Sequence, residues 1–340
     1  MDLATFSQES LPLIERAIRD ALEHGRRAET QPLHEMMVYQ LGLDREAETG
    51  LTRGKRIRPL LVLLACGSAS PESQGWRPAL PAAAAVELLH NFSLIHDDIE
   101  DNSPIRRGRP SVWKRWGIPQ AINAGDAMYT LAYRALLDLR DVCGSEIALQ
   151  AQAVLQETCL ALTRGQYLDL DFETRSEVSL AEYWSMIEGK TAALLAACTE
   201  LGALAARAPE ERRRSYREFG RSLGSAFQAQ DDLLGIWGNE KRTGKSVGGD
   251  LVSGKKSLPI LFGLSQNGQF AGRWRAGPVP PEAAGEFAAL LEREGARTFT
   301  EEQVRIKTGE AMHHLEAAAP EGEVGAMLAE LANRLLDRQI

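Results

Sequence analysis

Two acidic clusters stand inside apolar stretches of this 340-residue chain, and both stretches have the residue spacing of helices. The first is Asp97-Asp98-Ile99-Glu100-Asp101, and the second is Asp231-Asp232-Leu233-Leu234-Gly235. In a helix, residues four apart such as Asp97 and Asp101 project from one face about 5–6 Å apart, and like charges this close repel unless a cation lies between them. Oxygen ligands of this kind favour Mg²⁺, which binds one or two carboxylates and fills its shell with water and phosphate. We therefore predict a site for magnesium and a phosphate-bearing ligand.

Solvated surface carboxylates or helix caps are the alternative interpretation of either cluster alone. Both clusters follow an apolar helical pattern, Val86–His96 in the first case and Leu223–Gln230 in the second. This shared placement, together with cationic residues elsewhere in the chain, favours a binding site over a solvated surface.

Three cations, Lys55, Arg56 and Arg58, stand just before the apolar run Leu60–Ala65. If a helix begins here, Lys55 and Arg58 are three positions apart and can reach one anion, aided by the free N–H groups of the helix start. His90 stands two helical turns before Asp97, where its imidazole could donate to a second phosphate group away from the metal. A charged surface and a buried core histidine are the alternatives for these residues.

Helical periodicity dominates the chain and predicts an all-α bundle forming a single domain over residues 1–340. Residues Leu13–Leu22 carry a clear amphipathic repeat, and no linker divides the chain. The alanine-rich segments 82–95 and 192–206 are typical of closely packed central helices. Each acidic cluster is followed by a predicted basic loop, and no strand pattern is visible. The remaining predicted helices cover about 30–40, 57–66, 80–101, 119–140, 145–170, 178–204, 210–237, 256–266 and 282–295.

Composition excludes several classes of protein. A net charge of −8 and a pI near 5.5 argue against general nucleic-acid binding. The first residues lack a signal-peptide pattern and no apolar run reaches the roughly 18 residues of a membrane span, which predicts a cytoplasmic protein. The four cysteines lack metal-binding spacing, so we expect reduced thiols in the core.

Taken in order, these motifs resemble the polyprenyl synthetase family, the trans-isoprenyl diphosphate synthases, and the resemblance is strong over residues 54–259. It implies an antiparallel helix bundle of the isoprenoid synthase type with a deep central cavity, and a homodimer. The matching segments are Gly54–Pro59, Leu89–Asp101, Arg106–Gly108, Asn123–Asp126, Gly165–Leu170, Lys190–Ala193, Phe227–Asp232, Gly244–Lys245, Asp250–Leu251 and Gly254–Pro259.

The resemblance also implies roles for individual residues in a Mg²⁺-dependent prenyl transfer. Asp97, Asp98 and Asp101 would hold two Mg²⁺ and Asp231 a third, with Asp232 orienting bound water. The diphosphate of the allylic substrate would contact Arg106, Lys190 and Lys245. The diphosphate of isopentenyl diphosphate would contact Lys55, Arg58, His90 and Arg107. Lys255 resembles the family's closing lysine, and the carbocation would be stabilised by dipoles near Lys190, Thr191 and Gln228.

Two positions bear on catalytic efficiency and on the length of the product. Position 235 is Gly where the family commonly carries a third Asp, so we expect weaker support around the metal with activity retained. Phe92, followed by the small Ser93, occupies the position at which the family sets product length. This resembles geranylgeranyl diphosphate synthases most, with farnesyl diphosphate as the near alternative and plain core packing as another role for Phe92.

Two further functions remain open from the residues. A class I terpene cyclase shares the acidic helices but needs no second diphosphate site, so Lys55, Arg58 and His90 argue against it. A noncatalytic regulatory subunit of a synthase is disfavoured by the aspartates of both clusters, although Gly235 keeps that possibility open.

Overall fold

The computed structural model describes residues 1–44, 54–69, 75–238 and 248–336. Helices dominate these residues, which confirms the predicted all-α fold. The described residues cluster into two compact units. Unit 1 draws on Met1–Gln156, Cys198–Arg213 and Ala319–Leu328, and unit 2 draws on Glu157–Ala197, Arg214–Ala318 and Ala329–Ile340. The single-domain organisation stays a prediction.

The helices fall close to the predicted segments, and the structure adds further helices beyond residue 295. In the first half of the chain they are α1 Leu3–Glu23, α2 Gln31–Gln40, α3 Ile57–Ala69, α4 Leu80–Glu100, α5 Val112–Trp116, α6 Ile118–Leu137, α7 Leu139–Cys143 and α8 Ser145–Thr174. In the second half they are α9 Leu180–Ile187, α10 Ala193–Ala205, α11 Glu210–Trp237, α12 Gly249–Ser253, α13 Leu258–Ser265, α14 Gln269–Arg275, α15 Ala284–Arg293, α16 Ala296–Ala317 and α17 Gly322–Leu336.

Helix α4 forms the centre of unit 1, where it packs against α1, α3 and α6. Its residues from Ala82 to Leu89 are buried on every side of the helix. The short alanine side chains let neighbouring helices approach closely, as the sequence predicted. The helix ends at Glu100 and Asp101 caps it, so the first acidic cluster lies where α4 leaves the core.

A two-stranded ladder follows α4 within the predicted basic loop. Strands β1 (Ile105–Arg106) and β2 (Arg109–Pro110) pair antiparallel. The turn residues Arg107 and Gly108 have φ of 52° and 77°, the pair of positive values that a type I′ hairpin turn requires. The sequence shows no alternating pattern at this ladder, because two residues per strand are too few to form one.

Helix α11 carries the second acidic cluster in unit 2 and continues past it to Trp237. Its Ala229 belongs to a buried cluster with Phe172, Tyr183 and Leu258. Between α9 and α10 the chain makes a π-helical turn over Glu188–Ala192, which interrupts the single helix predicted over 178–204. Part of the second predicted basic loop is helical as α12.

Two predictions about the whole chain can be checked against these helices. All four cysteines are buried thiols, which confirms the reduced core. No described helix combines the length and the apolar character that crossing a bilayer demands.

Candidate active site

The hairpin after α4 brings Arg106 back onto the first acidic cluster. Arg106 Nε donates to Asp98 Oδ1 at 2.9 Å, and Nη2 donates to the same oxygen. Asp98 is 1% exposed, and its other oxygen, Oδ2, is buried without a hydrogen-bond partner. Burial raises the pKa of the Asp98 carboxyl, while Arg106 opposes that shift. A buried carboxylate oxygen that lacks a donor is costly, so Oδ2 is a favourable position for a cation.

The other aspartates of the first cluster lie progressively nearer to solvent. Asp97 is half-buried and Asp101 is exposed, and the backbone N–H of Asp101 donates to Asp97 O at 2.8 Å. That bond closes one helical turn, so both carboxylates lie on one face as predicted. Among the residues that the structure describes, no three carboxylate, imidazole or thiol groups form a ready-made metal cage. These carboxylates suit Mg²⁺ that binds together with phosphate, because Mg²⁺ takes few protein ligands.

A second, cationic group in unit 1 joins α3 to α4. Arg58 Nη1 lies 3.1 Å from His90 Nε2. Because a guanidinium has only donors, this imidazole nitrogen must accept, and the ring is neutral. Burial and then the nearby Arg58, Arg107, Arg106 and Arg56 hold the pKa of His90 well below its ordinary value. The surroundings of His90 are therefore strongly positive and suited to an anion.

Arg107 joins this group from the hairpin turn. Its φ of 52° lies in the left-handed region, which is unusual for an arginine. Its guanidinium lies over Gly54, where a Cβ would stand only 3.1 Å from Arg107 Cζ. Burial lowers the pKa of Arg107, while the attraction of Glu87 opposes this shift. Backbone strain and a desolvated cation at one residue are features that accompany ligand-binding sites.

The segment before α3 differs from the sequence prediction in two respects. Helix α3 begins at Ile57, so Lys55 precedes it and is exposed, and the helical relation of Lys55 to Arg58 does not form. Arg56 has a φ of 48°, which turns the chain before the helix. Arg56 is also buried, donating from Nη1 to Glu87 Oε1 and from Nη2 to Leu41 O, both at 2.6 Å. Arg56 therefore stabilises the segment that carries Lys55 and Arg58.

In unit 2, Asp232 of the second cluster accepts three hydrogen bonds. Its Oδ2 accepts from the Tyr183 hydroxyl at 2.7 Å and from the Leu258 N–H at 2.8 Å, and its Oδ1 accepts from Gln228 Nε2 at 2.9 Å. Burial raises the pKa of Asp232, and Lys255 leads the groups that oppose the shift. Asp232 thus ties three chain segments together, while Asp231 beside it is half-buried.

The predicted residues Lys190, Thr191 and Gln228 lie in one connected group. Thr191 Oγ1 donates to Gln228 Oε1 at 2.9 Å, and Lys190 Nζ donates to Asp169 Oδ2. Lys190 and Thr191 both lie on the π-helical turn, a feature frequent at functional sites. A Cβ at Gly165 of α8 would stand 2.1 Å from the Lys190 backbone nitrogen, so only glycine permits this approach.

Lys255 lies among carboxylates in the same unit. Burial would lower the pKa of its ammonium, but the attraction of Asp232, Asp250, Asp169 and Asp231 outweighs burial and raises it. A small cavity of about 20 Å³ is lined by Lys255, Lys190, Asp169, Gln228 and Asp232, among others. Sequence reasoning gave no role to Asp169, Tyr183 or Asp250, although Asp169 and Asp250 stood in matched segments. The predicted Lys245 lies outside the described residues.

Phe92, the predicted determinant of product length, is half-buried on α4. Its ring lies 5.2 Å from that of Tyr129 on α6 and 4.8 Å from that of His96. Tyr129 in turn lies 5.0 Å from Tyr133. The neighbouring Ser93 hydroxyl donates to His90 O at 2.9 Å within α4. Phe92 is therefore the first member of an aromatic row that links α4 to α6.

The family model described as Polyprenyl synthetase matches residues 43–274, and the chain belongs to this family. Its fold is that of the isoprenoid synthases, and the chain is a prenyl diphosphate synthase, a transferase of prenyl groups. This membership disfavours the two alternative functions, a class I terpene cyclase and a noncatalytic regulatory subunit.

Individual relatives extend over most of the chain. It is 39% identical over 315 residues to the (2E,6E)-farnesyl diphosphate synthase of Mycobacterium tuberculosis (strain ATCC 25618 / H37Rv), covering 89% of this chain and 86% of that protein. It is 40% identical over 295 residues to the geranylgeranyl diphosphate synthase of the same strain, covering 85% and 79%. The crystal structure of polyprenyl synthetase from Streptomyces coelicolor A3(2) matches with a TM-score of 0.86 at 32% identity, covering 98% of this chain and 100% of that one.

Proposed function

We propose that this enzyme condenses isopentenyl diphosphate with an allylic diphosphate, in a Mg²⁺-dependent reaction, to give a short-chain trans-prenyl diphosphate. Geranylgeranyl diphosphate is the proposed product, and farnesyl diphosphate is the alternative; relatives named for each product are similarly identical to the chain. The observation that carries the proposal is the cationic group of Arg58, His90 and Arg107 in unit 1. An enzyme that ionises one diphosphate without condensing it with another would have no use for that group.

The aspartates are proposed to hold the metal that accompanies the allylic diphosphate. Asp97, Asp98 and Asp101 would hold two Mg²⁺, which is supported by the unpartnered Asp98 Oδ2. Asp231 would hold a third, and Asp232 would orient water while anchoring its helix through Tyr183, Gln228 and Leu258. Bound Mg²⁺ would neutralise the charge that develops on the departing diphosphate.

The cations divide between the two substrates in this proposal. Arg106, Lys190 and Lys245 would bind the allylic diphosphate, and Lys255 would close over it. Lys55, Arg58, His90 and Arg107 would bind the diphosphate of isopentenyl diphosphate. Arginine forks suit bidentate phosphate contacts, and the neutral His90 can donate from Nδ1 while Nε2 accepts from Arg58.

The chemistry then needs orientation and charge stabilisation more than proton transfer. The allylic C–O bond breaks, and its electron pair leaves with the diphosphate. The double bond of isopentenyl diphosphate supplies the electrons of the new C–C bond, and a proton is then lost to the released diphosphate. The Thr191 hydroxyl is bonded to the Gln228 amide, which is bonded to Asp232, and these preorganised dipoles would stabilise the allylic cation in this proposal.

Phe92 is proposed to limit the length of the product. Its contact with Tyr129 supports a wall of aromatic rings between α4 and α6 that a growing chain cannot pass. Ser93 beside it leaves room for the chain as far as that wall.

A homodimer is proposed from exposed apolar residues on α6 and α8. Ile118, Ile122 and Tyr129 on α6 are exposed, as are Leu149, Leu160 and Tyr167 on α8. On each helix the three residues return to nearly the same face at 100° per residue. Exposed apolar stripes of this kind mark protein interfaces. Sedimentation analysis of the purified protein would test the dimer. A cytoplasmic location also stays a proposal.

The decisive experiment supplies the purified protein with Mg²⁺, isopentenyl diphosphate and, in separate reactions, dimethylallyl, geranyl or farnesyl diphosphate. Products are identified by chain length. We expect elongation that stops at geranylgeranyl diphosphate and is lost when a chelator removes Mg²⁺. A product that stops at farnesyl diphosphate supports the alternative, and a cyclic hydrocarbon from an allylic substrate alone would overturn the proposal.

A further inference from the structure

Contacts from α2 hold the hairpin that carries Arg106 and Arg107, and all of these residues belong to unit 1. The Tyr39 hydroxyl donates to Pro110 O at 2.8 Å. Arg109 Nη2 donates to Tyr39 O, and Arg109 Cζ lies 3.8 Å from the centre of the Tyr39 ring. Tyr39 is 5% exposed, and a cation over an aromatic face is held more strongly when water is excluded. Strand β2 is therefore attached to α2 by two hydrogen bonds and a stacked cation.

Arg109 is fixed by a carboxylate as well. Its Nη1 lies 3.1 Å from each carboxylate oxygen of Asp44. The side chains of Arg109 and Asp44 are only 15% and 20% exposed, so water screens this pair less than a surface pair. The Tyr39 ring meets the ring of Trp116 edge-on, with 5.0 Å between their centres, which orients Tyr39 for the stacking. Both terminal nitrogens of Arg109 thus bind groups of the protein.

Strand pairing carries this attachment to Arg106. Arg109 and Arg106 lie opposite each other in the ladder, and Arg107 and Gly108 form the turn that joins them. An isolated two-stranded hairpin is marginally stable in water, so a hairpin with two residues in each strand depends on contacts from elsewhere. A cavity of about 10 Å³ is lined by Tyr39 and Arg109 together with Arg106 and Arg107. The attachment to α2 is therefore next to the two arginines that are proposed to bind substrate.

We propose that Tyr39 and Arg109 are positioning residues for both diphosphate substrates, acting through Arg106 and Arg107. The inference rests on the proposed function, in which Arg106 binds the allylic diphosphate and Arg107 binds that of isopentenyl diphosphate. Without the contacts to α2, the hairpin would have to become ordered as the substrates bind, and the lost conformational entropy would weaken binding. With those contacts, both arginines are in place before either substrate arrives.

Three substitutions test the attachment. Tyr39→Phe removes only the hydroxyl that bonds Pro110, Tyr39→Leu also removes the ring that faces Arg109, and Arg109→Lys keeps the charge but loses the forked and stacked contacts. The matched control is Arg140→Lys on α7, at an exposed arginine that donates to the neighbouring Asp141. The readouts are kcat, the KM for each substrate, the melting temperature, and calorimetric binding of inorganic diphosphate in the presence of Mg²⁺.

We expect Tyr39→Phe to raise the KM for both substrates by about 3-fold, the order of one lost hydrogen bond. Tyr39→Leu and Arg109→Lys should each raise both KM values by about 10-fold, because the stacked cation is lost as well. Binding of inorganic diphosphate should weaken in the same order, and Arg140→Lys should match the wild type. Arg109→Lys leaves the core intact, so it remains informative if Tyr39→Leu unfolds.

Asp44→Asn separates an attachment from a direct ligand. If Arg109 bound phosphate itself, removing the competing carboxylate would tighten the binding of inorganic diphosphate. As a positioning residue, Arg109 loses a partner in this variant, so diphosphate binding should not become tighter. Tighter binding would overturn the inference.

Two further results would also overturn it. A lower melting temperature with wild-type KM values for both substrates would make Tyr39 and Arg109 purely structural. A higher KM for one substrate alone would show that they do not act through the shared hairpin. If the wild type itself elongates no allylic substrate, the proposed function fails. That failure is distinct, because the binding of inorganic diphosphate does not require turnover and still compares the variants.

Discussion

Arg58 Nη1 lies 3.1 Å from His90 Nε2, so a guanidinium and a neutral imidazole from two helices share one hydrogen bond. The contact fixes the tautomer of His90 and turns its remaining N–H, on Nδ1, into the donor available to a ligand. It also places two groups of the proposed isopentenyl diphosphate site in direct contact.

Replacing His90 should affect one substrate selectively. His90→Ala removes a donor to phosphate and the acceptor that orients Arg58, so the KM for isopentenyl diphosphate should rise about 10-fold or more. The KM for the allylic substrate should change by less than about 2-fold, because the substitution removes binding contacts only at the isopentenyl diphosphate site. His24→Ala, at an exposed histidine of the same unit, is the control. Equal increases for both substrates would contradict the division of sites.

The depressed pKa of His90 should appear in the pH dependence of stability. The folded His90 resists protonation, whereas in the unfolded chain it titrates near its ordinary pKa of about 6.5. Below that pH the unfolded state binds a proton that the folded state does not, so the free energy of unfolding should fall as the pH drops towards the folded pKa. Urea unfolding at a series of pH values should show a shallower loss in His90→Gln. His34, whose pKa burial also lowers, remains in both proteins. Parallel curves would contradict the prediction.

Glu87→Gln should destabilise the fold strongly. The substitution leaves Arg56 buried without a counter-charge, and breaking a buried pair in this way costs about 3–5 kcal/mol. Denaturant unfolding measures the loss. Asp141→Asn removes an exposed partner of Arg140 and should have little effect. A similar effect of both substitutions would show that burial of the Arg56–Glu87 pair is unimportant.

Tyr183→Phe tests the anchor of the second acidic cluster. Burial keeps the pKa of Tyr183 well above its ordinary value, so the hydroxyl remains a donor to Asp232. Losing this bond to a charged group should reduce the free energy of unfolding by about 1.5–3 kcal/mol. Tyr167→Phe, at a side chain 67% exposed, should leave stability unchanged. If Tyr183→Phe and Tyr167→Phe give the same unfolding curve, the hydrogen bond from Tyr183 does not stabilise the second acidic cluster.

Phe92→Ala should lengthen the product. Removing the ring opens the aromatic row at its α4 end, so chains longer than the wild-type product should accumulate in the elongation assay. Phe262→Ala breaks a stacked pair with Phe299 in unit 2 and should leave the product distribution unchanged. A wild-type distribution from Phe92→Ala would assign Phe92 to core packing.

Sequence pattern predicted the fold well because long helices carry long repeats. The boundaries of α4 and α11 were predicted to within a residue, since their apolar stretches extend over several turns. The same reasoning did not predict the π-helical turn at Lys190. One extra residue in a single turn changes the hydrophobic periodicity of the sequence too little to be detected. The signal that could have shown it is the pair Gly165 and Gly189, whose Cα atoms approach where a side chain would not fit.

Charge patterns alone could not separate cations that bind a ligand from cations that stabilise the fold. Arg56 and Arg58 are two residues apart in one basic segment, yet Arg56 is buried against Glu87 while Arg58 contacts His90. The difference arises from the positive φ of Arg56, a backbone property that residue type does not reveal. Asp250 was missed for a similar reason, because its place over Gly235 depends on tertiary contact.

The type I′ turn has a consequence for how the two substrates can influence each other. Arg106 holds Asp98 of the first acidic cluster, and Arg107, the very next residue, lies over Gly54 in the cationic group. Because Arg106 and Arg107 are adjacent, both contacts depend on the same two-residue-strand hairpin. A substitution that displaces the hairpin itself should therefore alter the recognition of both substrates, whereas His90→Ala, which lies outside the hairpin, should affect one.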